Sequence, residues 1–252
     1  MKRRGLIFIS ALIVMMFVTL NCYSQDKDAA SDFEYIRSII ANSANDFENF
    51  GSIQTDNQVL STSYVVEVTS RNREGSVATD CSIIYDGERS RLSTSGIVIV
   101  QDSDTGIQLQ EESRQIVIHD TDGGRSKDYF LQKSHALQKE SLKYLNSSER
   151  TQLENDKIMI SLEFNSEGRQ QLRLKRVEYV VDIENERILE ASVFYSDNHP
   201  NQKLSIKFGE ITISERDSAK LPNNILDLIY DSEGELLHKW SGFAVFDNRM
   251  KK

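Results

Sequence analysis

From Tyr64 to Phe208 the chain keeps returning to a hydrophobic period of two, interrupted at short intervals by clusters of turn-forming residues. Tyr64, Val66 and Val68 alternate with Val65, Glu67 and Thr69. Ser82–Tyr85, Arg89–Leu92, Gly96–Val100, Ile107 with Leu109, and Ile116–Ile118 follow. The joins are Arg73-Glu74-Gly75, Asp86-Gly87, Asp102–Gly106 and Glu111–Ser113. A parallel crossover needs a dozen or more residues, so joins this short demand antiparallel hairpins. Period two resumes at Ile158, Ile160, Leu162 and Phe164. It continues through Val177, Tyr179, Val181 and Ile183, then Leu189, Ala191, Val193 and Tyr195, then Leu204, Ile206 and Phe208, with Ile211 and Ile213 extending the last run. About ten or eleven strands are expected. A sheet that large must close, split or be covered.

Two stretches carry a helical period instead. Phe33, Ile36, Ile39, Ile40 and Phe47 share one face of a helix expected over 31–49, with Ser31 as N-cap and Glu34 completing a capping box. Asp32, Glu34, Arg37, Asn42 and Asn45 fall on its polar side. A second helical segment is expected over 128–145, inside an insertion of about 120–156, with Ser147–Arg150 as its exit or a second short turn. The expected class is α+β: a large curved antiparallel sheet, an open half-barrel, capped by amphipathic helices. The tail from Pro222 mixes Ile225, Leu226, Leu228, Ile229, Leu236, Leu237 and Trp240 with no clear period.

The first 25 residues stand apart from this pattern. Lys2, Arg3 and Arg4 precede an apolar run from Gly5 to Leu20, which reads as a secretory signal too short to span a membrane comfortably. Cys22 and Ser24 suit signal-peptidase cleavage before Gln25; the alternative is lipidation at Cys22, after a poor lipobox. Export into the periplasm of a diderm bacterium follows from the first route, an outer-membrane anchor from the second. Losing three of the 30 basic residues leaves 27 against 39 acidic ones, a net charge of −12. Such a balance has no basic surplus to exchange for the counterions of a nucleic acid. One cysteine, Cys81, remains, so no internal disulfide is expected, and its apolar setting suits a buried inert thiol.

No catalytic signature is present. His119, His135, His199 and His238 show no metal-ligand spacing, and Asp102–Gly106 lacks the distal ligands of a calcium loop. Neither a phosphate-binding glycine loop nor a nucleophile elbow occurs. No metal, cofactor or catalytic residue is therefore expected. The basic run Arg169, Arg173, Lys175 and Arg176 could meet an anionic headgroup or pair with an acidic neighbouring strand.

The order of elements resembles the LolA/RseB-type half-barrel family of periplasmic lipoprotein carriers and lipid-sensing envelope proteins. The resemblance rests on the signal segment, the first helix and the strand Ser63–Thr69. It also rests on the hairpins through Tyr85–Arg89, Gly96–Val100 and Gln115–His119, and on Arg176–Ile183, Ile188–Ala191 and Lys203–Phe208. It spans most of 31–215; the proline-rich early strands of the carriers are missing here. It implies one domain over 26–220, a helical lid, and a non-enzymatic monomer that binds lipid or lipoprotein acyl chains. The residues 221–252 are expected to form an extension packed on that domain. The cavity liners would come from the clean apolar faces: Tyr64, Val66, Val68, Ile160, Leu162, Phe164, Tyr179, Val181, Val193 and Tyr195. The alternative is a self-filled half-barrel that docks another envelope protein and holds no lipid.

Overall fold

A computed structural model describes residues 27–52, 58–121 and 143–249. The signal segment with Cys22, and most of the expected lid, lie outside the described residues. Helix α1 is Lys27–Ser52. The strands are β1 Gln58–Ser70, β2 Ser76–Tyr85, β3 Ser90–Thr94, β4 Ile97–Gln101, β5 Thr105–Gln110 and β6 Gln115–Asp120. They continue as β7 Leu145–Gln152, β8 Lys157–Phe164, β9 Leu174–Asp182, β10 Arg187–Tyr195, β11 Asn201–Glu215 and β12 Ala244–Asp247. A short helix, α2, covers Ser166–Gln171 between β8 and β9.

The twelve strands hydrogen-bond in the order β12-β6-β5-β4-β3-β2-β1-β11-β10-β9-β8-β7, and the sheet is not closed. The α+β class and the large open sheet are as the period predicts. Neighbours from β2 to β6 and from β7 to β11 are antiparallel. β12 departs from the expectation by lying parallel to β6. It arrives from the tail, after a connection long enough to reverse direction.

Three local expectations are corrected. Ser31 is not an N-cap: α1 already runs from Lys27, and Ala29, fully buried, belongs to its packed face. Asp32 is not on the solvent side; it is buried and ion-paired with Arg150. Leu145 and Ser147–Arg150 are not a helix end and exit but strand β7, whose Arg150 sits across from Ile160. Alternation in β7 is weak because an edge strand needs little apolar surface, and its serines and charges blunt the edge. Between β8 and β9, Glu167 and Gly168 lie in the first part of α2, capped by the Asn165 side chain accepting from the Gly168 N–H at 2.8 Å.

The chain divides into two compact units. The first holds α1 up to Asp46, Val65–Ala78, and the chain from β7 to Phe208. Its register sets Ile160, Tyr179, Ala191 and Ile206 in one row across four strands. Phe33, Ile36, Ile39 and Ile40 of α1 pack on this face, with Ile158, Leu162 and Val181 beside the row. The helix forms because apolar residues recur at three- and four-residue spacing, and it stays because that stripe is withdrawn from water.

Tyr179 is part of this core, and burial pushes its phenol up to about 12 from an ordinary value of 10.0. A group whose pKa rises on folding contributes stability that is complete below the unfolded value and is lost as pH rises through the folded one. Unfolding between pH 10 and about 12 should therefore steepen with pH. Tyr179→Phe should flatten that dependence in chemical denaturation at graded alkaline pH. An unchanged slope would mean that the phenol titrates in contact with water.

The second unit holds the chain from Phe47 to Tyr64, from Thr79 through β6, and from Gly209 onward. One face of its sheet carries Val59, Val100, Ile107, Leu109, Ile116 and Ile118. The tail closes it with Leu221, Ile225, Leu228 and Ile229. The segment makes a 3-10 turn at Ile225–Leu228, with Trp240 Nε1–H donating to the Leu228 carbonyl at 2.6 Å.

Candidate functional site

The ten expected cavity liners do not form one group. Ile160, Leu162, Tyr179 and Val181 lie beneath α1 in the first core. Val193 is buried between Val177 and Leu204 in the register, and Phe164 and Val66 are also buried. Val68 and Tyr195 are half-buried, Tyr195 stacked on the His199 ring with centroids 4.0 Å apart. Tyr64 belongs to the second unit. It is 4% exposed and shares a hydrogen bond with Cys81.

The second unit carries a further apolar surface, visible in its register. In a strand, alternate side chains point to opposite faces. One row, Ile84–Arg91–Val100–Ile107–Ile118, belongs to the face that the tail closes. The adjacent row belongs to the other face: Ile83–Leu92–Ile99–Gln108–Val117–Phe246, across β2, β3, β4, β5, β6 and β12. Beside it run Cys81, Thr94, Ile97, Gln110, Gln115 and Ala244. Ile83, Leu92, Ile97, Ile99 and Val117 are half-buried, and Phe246 is 46% exposed. On the closed face Val59, Val100, Ile107, Leu109, Ile116 and Ile118 are at 0–4%, while Ile84, Arg91 and Val98 at its margin are half-buried. At about 4.8 Å per strand, six strands make a floor about 24 Å wide.

The electrostatics of this face are those of a neutral surface. Among its paired residues there is no Asp, Glu, Lys or Arg. Burial, reinforced by the neighbouring Cys81, holds the Tyr64 phenol well above the ordinary tyrosine range. Burial also pushes the Cys81 thiol up, against the smaller opposing pull of the Tyr64 hydrogen bond. Both are uncharged at neutral pH, and a thiol so placed is a poor nucleophile. The face can bury apolar surface and exchange hydrogen bonds; the one imidazole among its paired residues, His119, is seated over Gly106 at the border of the floor.

The residues that sequence reading missed are Ile83, Leu92, Ile97, Ile99, Val117 and Phe246. One signal could have found them. Ile97-Val98-Ile99-Val100 is apolar at every position, which marks a strand covered on both faces rather than one with a solvated side.

The other motifs resolve into local structure. The carboxylate of Asp102 accepts from the backbone N–H of Asp104 at 2.9 Å and of Thr105 at 2.8 Å, closing a hairpin turn. In the basic run, Arg169 pairs with Glu163, and Arg176 pairs with Glu163 and Glu178 while covering the Phe194 ring at 4.3 Å. The His119 ring occupies the space over Gly106, its cross-strand partner. Any side chain at Gly106 must displace it. Gly106→Ala should cost about 1–3 kcal/mol by overpacking, read from the urea midpoint. A cost near zero would mean that the imidazole swings aside freely.

No family model matches the chain, and no curated protein matches it in sequence. Solved structures do match, at low identity. An uncharacterized conserved protein from Thermus thermophilus is 11% identical with a TM-score of 0.38, the match covering 82% of this chain and 99% of that one. A LolA superfamily protein from Nitrosomonas europaea is 8% identical with a TM-score of 0.26, covering 69% and 94%. The MucA/MucB complex of Pseudomonas aeruginosa is 13% identical with a TM-score of 0.32, covering 77% and 63%. The second bears the name of the family that the strand succession resembles.

Proposed function

We propose that the chain is an exported, non-catalytic cell-envelope protein that holds an apolar ligand on the second face of β2–β6 and β12. The ligand class is an acyl chain, free or carried by a lipid or lipoprotein. The observation that carries this reading is the two-sided apolarity of the second unit. The tail closes one face, while the opposite one presents Ile83, Leu92, Ile97, Ile99, Val117 and Phe246 half-buried or exposed. Each methylene withdrawn from water contributes about 0.8 kcal/mol, so one acyl chain suffices for useful affinity without any charged group. Tyr64 borders this site. Ile160, Leu162, Tyr179 and Val181 would be reached only by displacing α1.

The test is native mass spectrometry, with solvent extraction, on mature protein purified from an envelope fraction without detergent. Bound lipid or acylated peptide is expected at stoichiometric amounts, together with a rise in Tm on adding lipid. Leu92→Glu, which puts a charge in the middle of the floor, should abolish both. A clean apo mass with no thermal response would reject the reading. The same spectrum reads the N-terminus: Gln25 for a free periplasmic protein, acylated Cys22 for an anchored one.

A second reading has its own support. α1 fills the apolar face of β8–β10, and the tail fills that of β4–β6, so much of the apolar surface is already satisfied within the chain. On this reading the protein docks another envelope protein and carries no lipid. Cross-linking in the envelope fraction would then recover one defined partner from a lipid-free protein.

A further inference from the structure

The register that builds the apolar floor also sets a band of primary amides along it. Gln108 lies between Ile99 and Val117; Gln110 lies between Ile97 and Gln115. All three glutamines are half-buried. The Gln110 side-chain oxygen accepts from the Ser113 hydroxyl at 3.1 Å, which leaves its NH2 group turned to other partners. A primary amide has two donors and two acceptor lone pairs, and covering it with hydrocarbon alone forfeits its bonds to water. Pure hydrocarbon therefore suits Ile83, Leu92, Ile97 and Ile99 but not the strip beside them.

From this band, and resting on the apolar-ligand reading above, we infer that the ligand is a neutral amphiphile. Its chain lies over β2–β4, and an uncharged group that can donate and accept hydrogen bonds, such as an ester, amide or sugar hydroxyl, lies over Gln108, Gln110 and Gln115. Two observations exclude an ionised head at this position. The paired residues of the face include no Asp, Glu, Lys or Arg, and their one histidine, His119, is seated over Gly106, so a charge buried over the glutamines would find no fixed counter-ion among these described residues and would keep its desolvation cost. The mature chain's charge of −12 adds a weaker, salt-screened repulsion of anions. Glutamine also differs from the charged side chains that ordinarily fill a solvated sheet face. It can be covered by ligand without carrying an ion out of water.

The experiment compares three amphiphiles with the same dodecyl chain on the full mature protein, below their micelle concentrations. They are the neutral maltoside, the anionic phosphate and the cationic trimethylammonium. Calorimetric titration should give the maltoside a Kd at least about tenfold lower than either ion. Gln110→Glu should weaken the maltoside by about tenfold. Gln110→Leu should narrow the gap between neutral and ionic heads while keeping chain binding. Equal or tighter binding of the phosphate or the ammonium compound would overturn the neutral-head inference and leave the apolar-ligand reading intact. If none of the three binds, both fall.

Discussion

Replacing Asp86 with alanine is expected to cost about 3–5 kcal/mol of unfolding free energy, the range seen when one partner of a buried ion pair is removed. Asp86 is 1% exposed. Its carboxylate accepts from Arg89 Nε at 2.8 Å and from the backbone N–H groups of Glu88 and Arg89 at 3.1 and 2.7 Å. Arg216 approaches at 3.4 Å. Arg89, itself 9% exposed, donates onward to the Pro222 carbonyl at 3.0 Å and to Asn223 Oδ1 at 3.2 Å. Removing the carboxylate takes from Arg89 and Arg216 the anion they share and loosens the entry of the tail. Gly87, at φ 93, gives the turn a backbone conformation that side chains disfavour, so the loop cannot easily re-form around the defect. The check is urea denaturation, with hydrogen exchange following the segment from Asp217 to Phe243. That segment should lose protection first. A loss under about 1 kcal/mol would show that water solvates the cluster as it does exposed pairs.

The second large effect contrasts two isoleucines of the same sheet. Ile160, fully buried under α1, should cost about 2–5 kcal/mol on truncation to alanine, the transfer term plus the cavity left in a packed core. Ile99, half-buried on the neutral face, should cost about 1 kcal/mol or less, since less surface returns to water and no closed cavity forms. Ile99→Ala should instead show its effect in amphiphile binding. Equal losses of stability at the two positions, measured by denaturant midpoints with unchanged slopes, would mean that both faces are closed core. The neutral face would then hold no ligand.

These contrasts mark how far the sequence could be read. Alternation in Val177–Ile183 and Leu189–Tyr195 predicted strands that lie close to β9 and β10. Val177, Tyr179, Val181 and Ala191 of these runs belong to the core with α1, which is why alternation marks them; the register shift between Ile188 and Glu190 brings Ile188 rather than Leu189 to that core, and Ile183 is 40% exposed. β7 was not legible, because an edge strand with a solvated surface imposes no alternation. Asp32 was misplaced for a related reason: helical spacing assigns a face, but it does not reveal that Arg150 of a distant strand will supply a counter-charge. The glutamine band and the Ile83-to-Phe246 row were hidden because no strand contains them. They exist only across a register.

The amino-acid sequence by itself determined the secondary-structure class, the antiparallel hairpins and the approximate run of the helix that covers β8–β10. These follow from local periodicity and short joins, which act within a few residues of one another. Tertiary structure decided which faces are closed. Pairing six strands, and bringing the tail from Leu221 onward onto one side of them, made one face core and left the other neutral and half-covered. Burial is a property of both surfaces that meet, and the second surface here comes from a part of the chain more than a hundred residues away from β4 and β5.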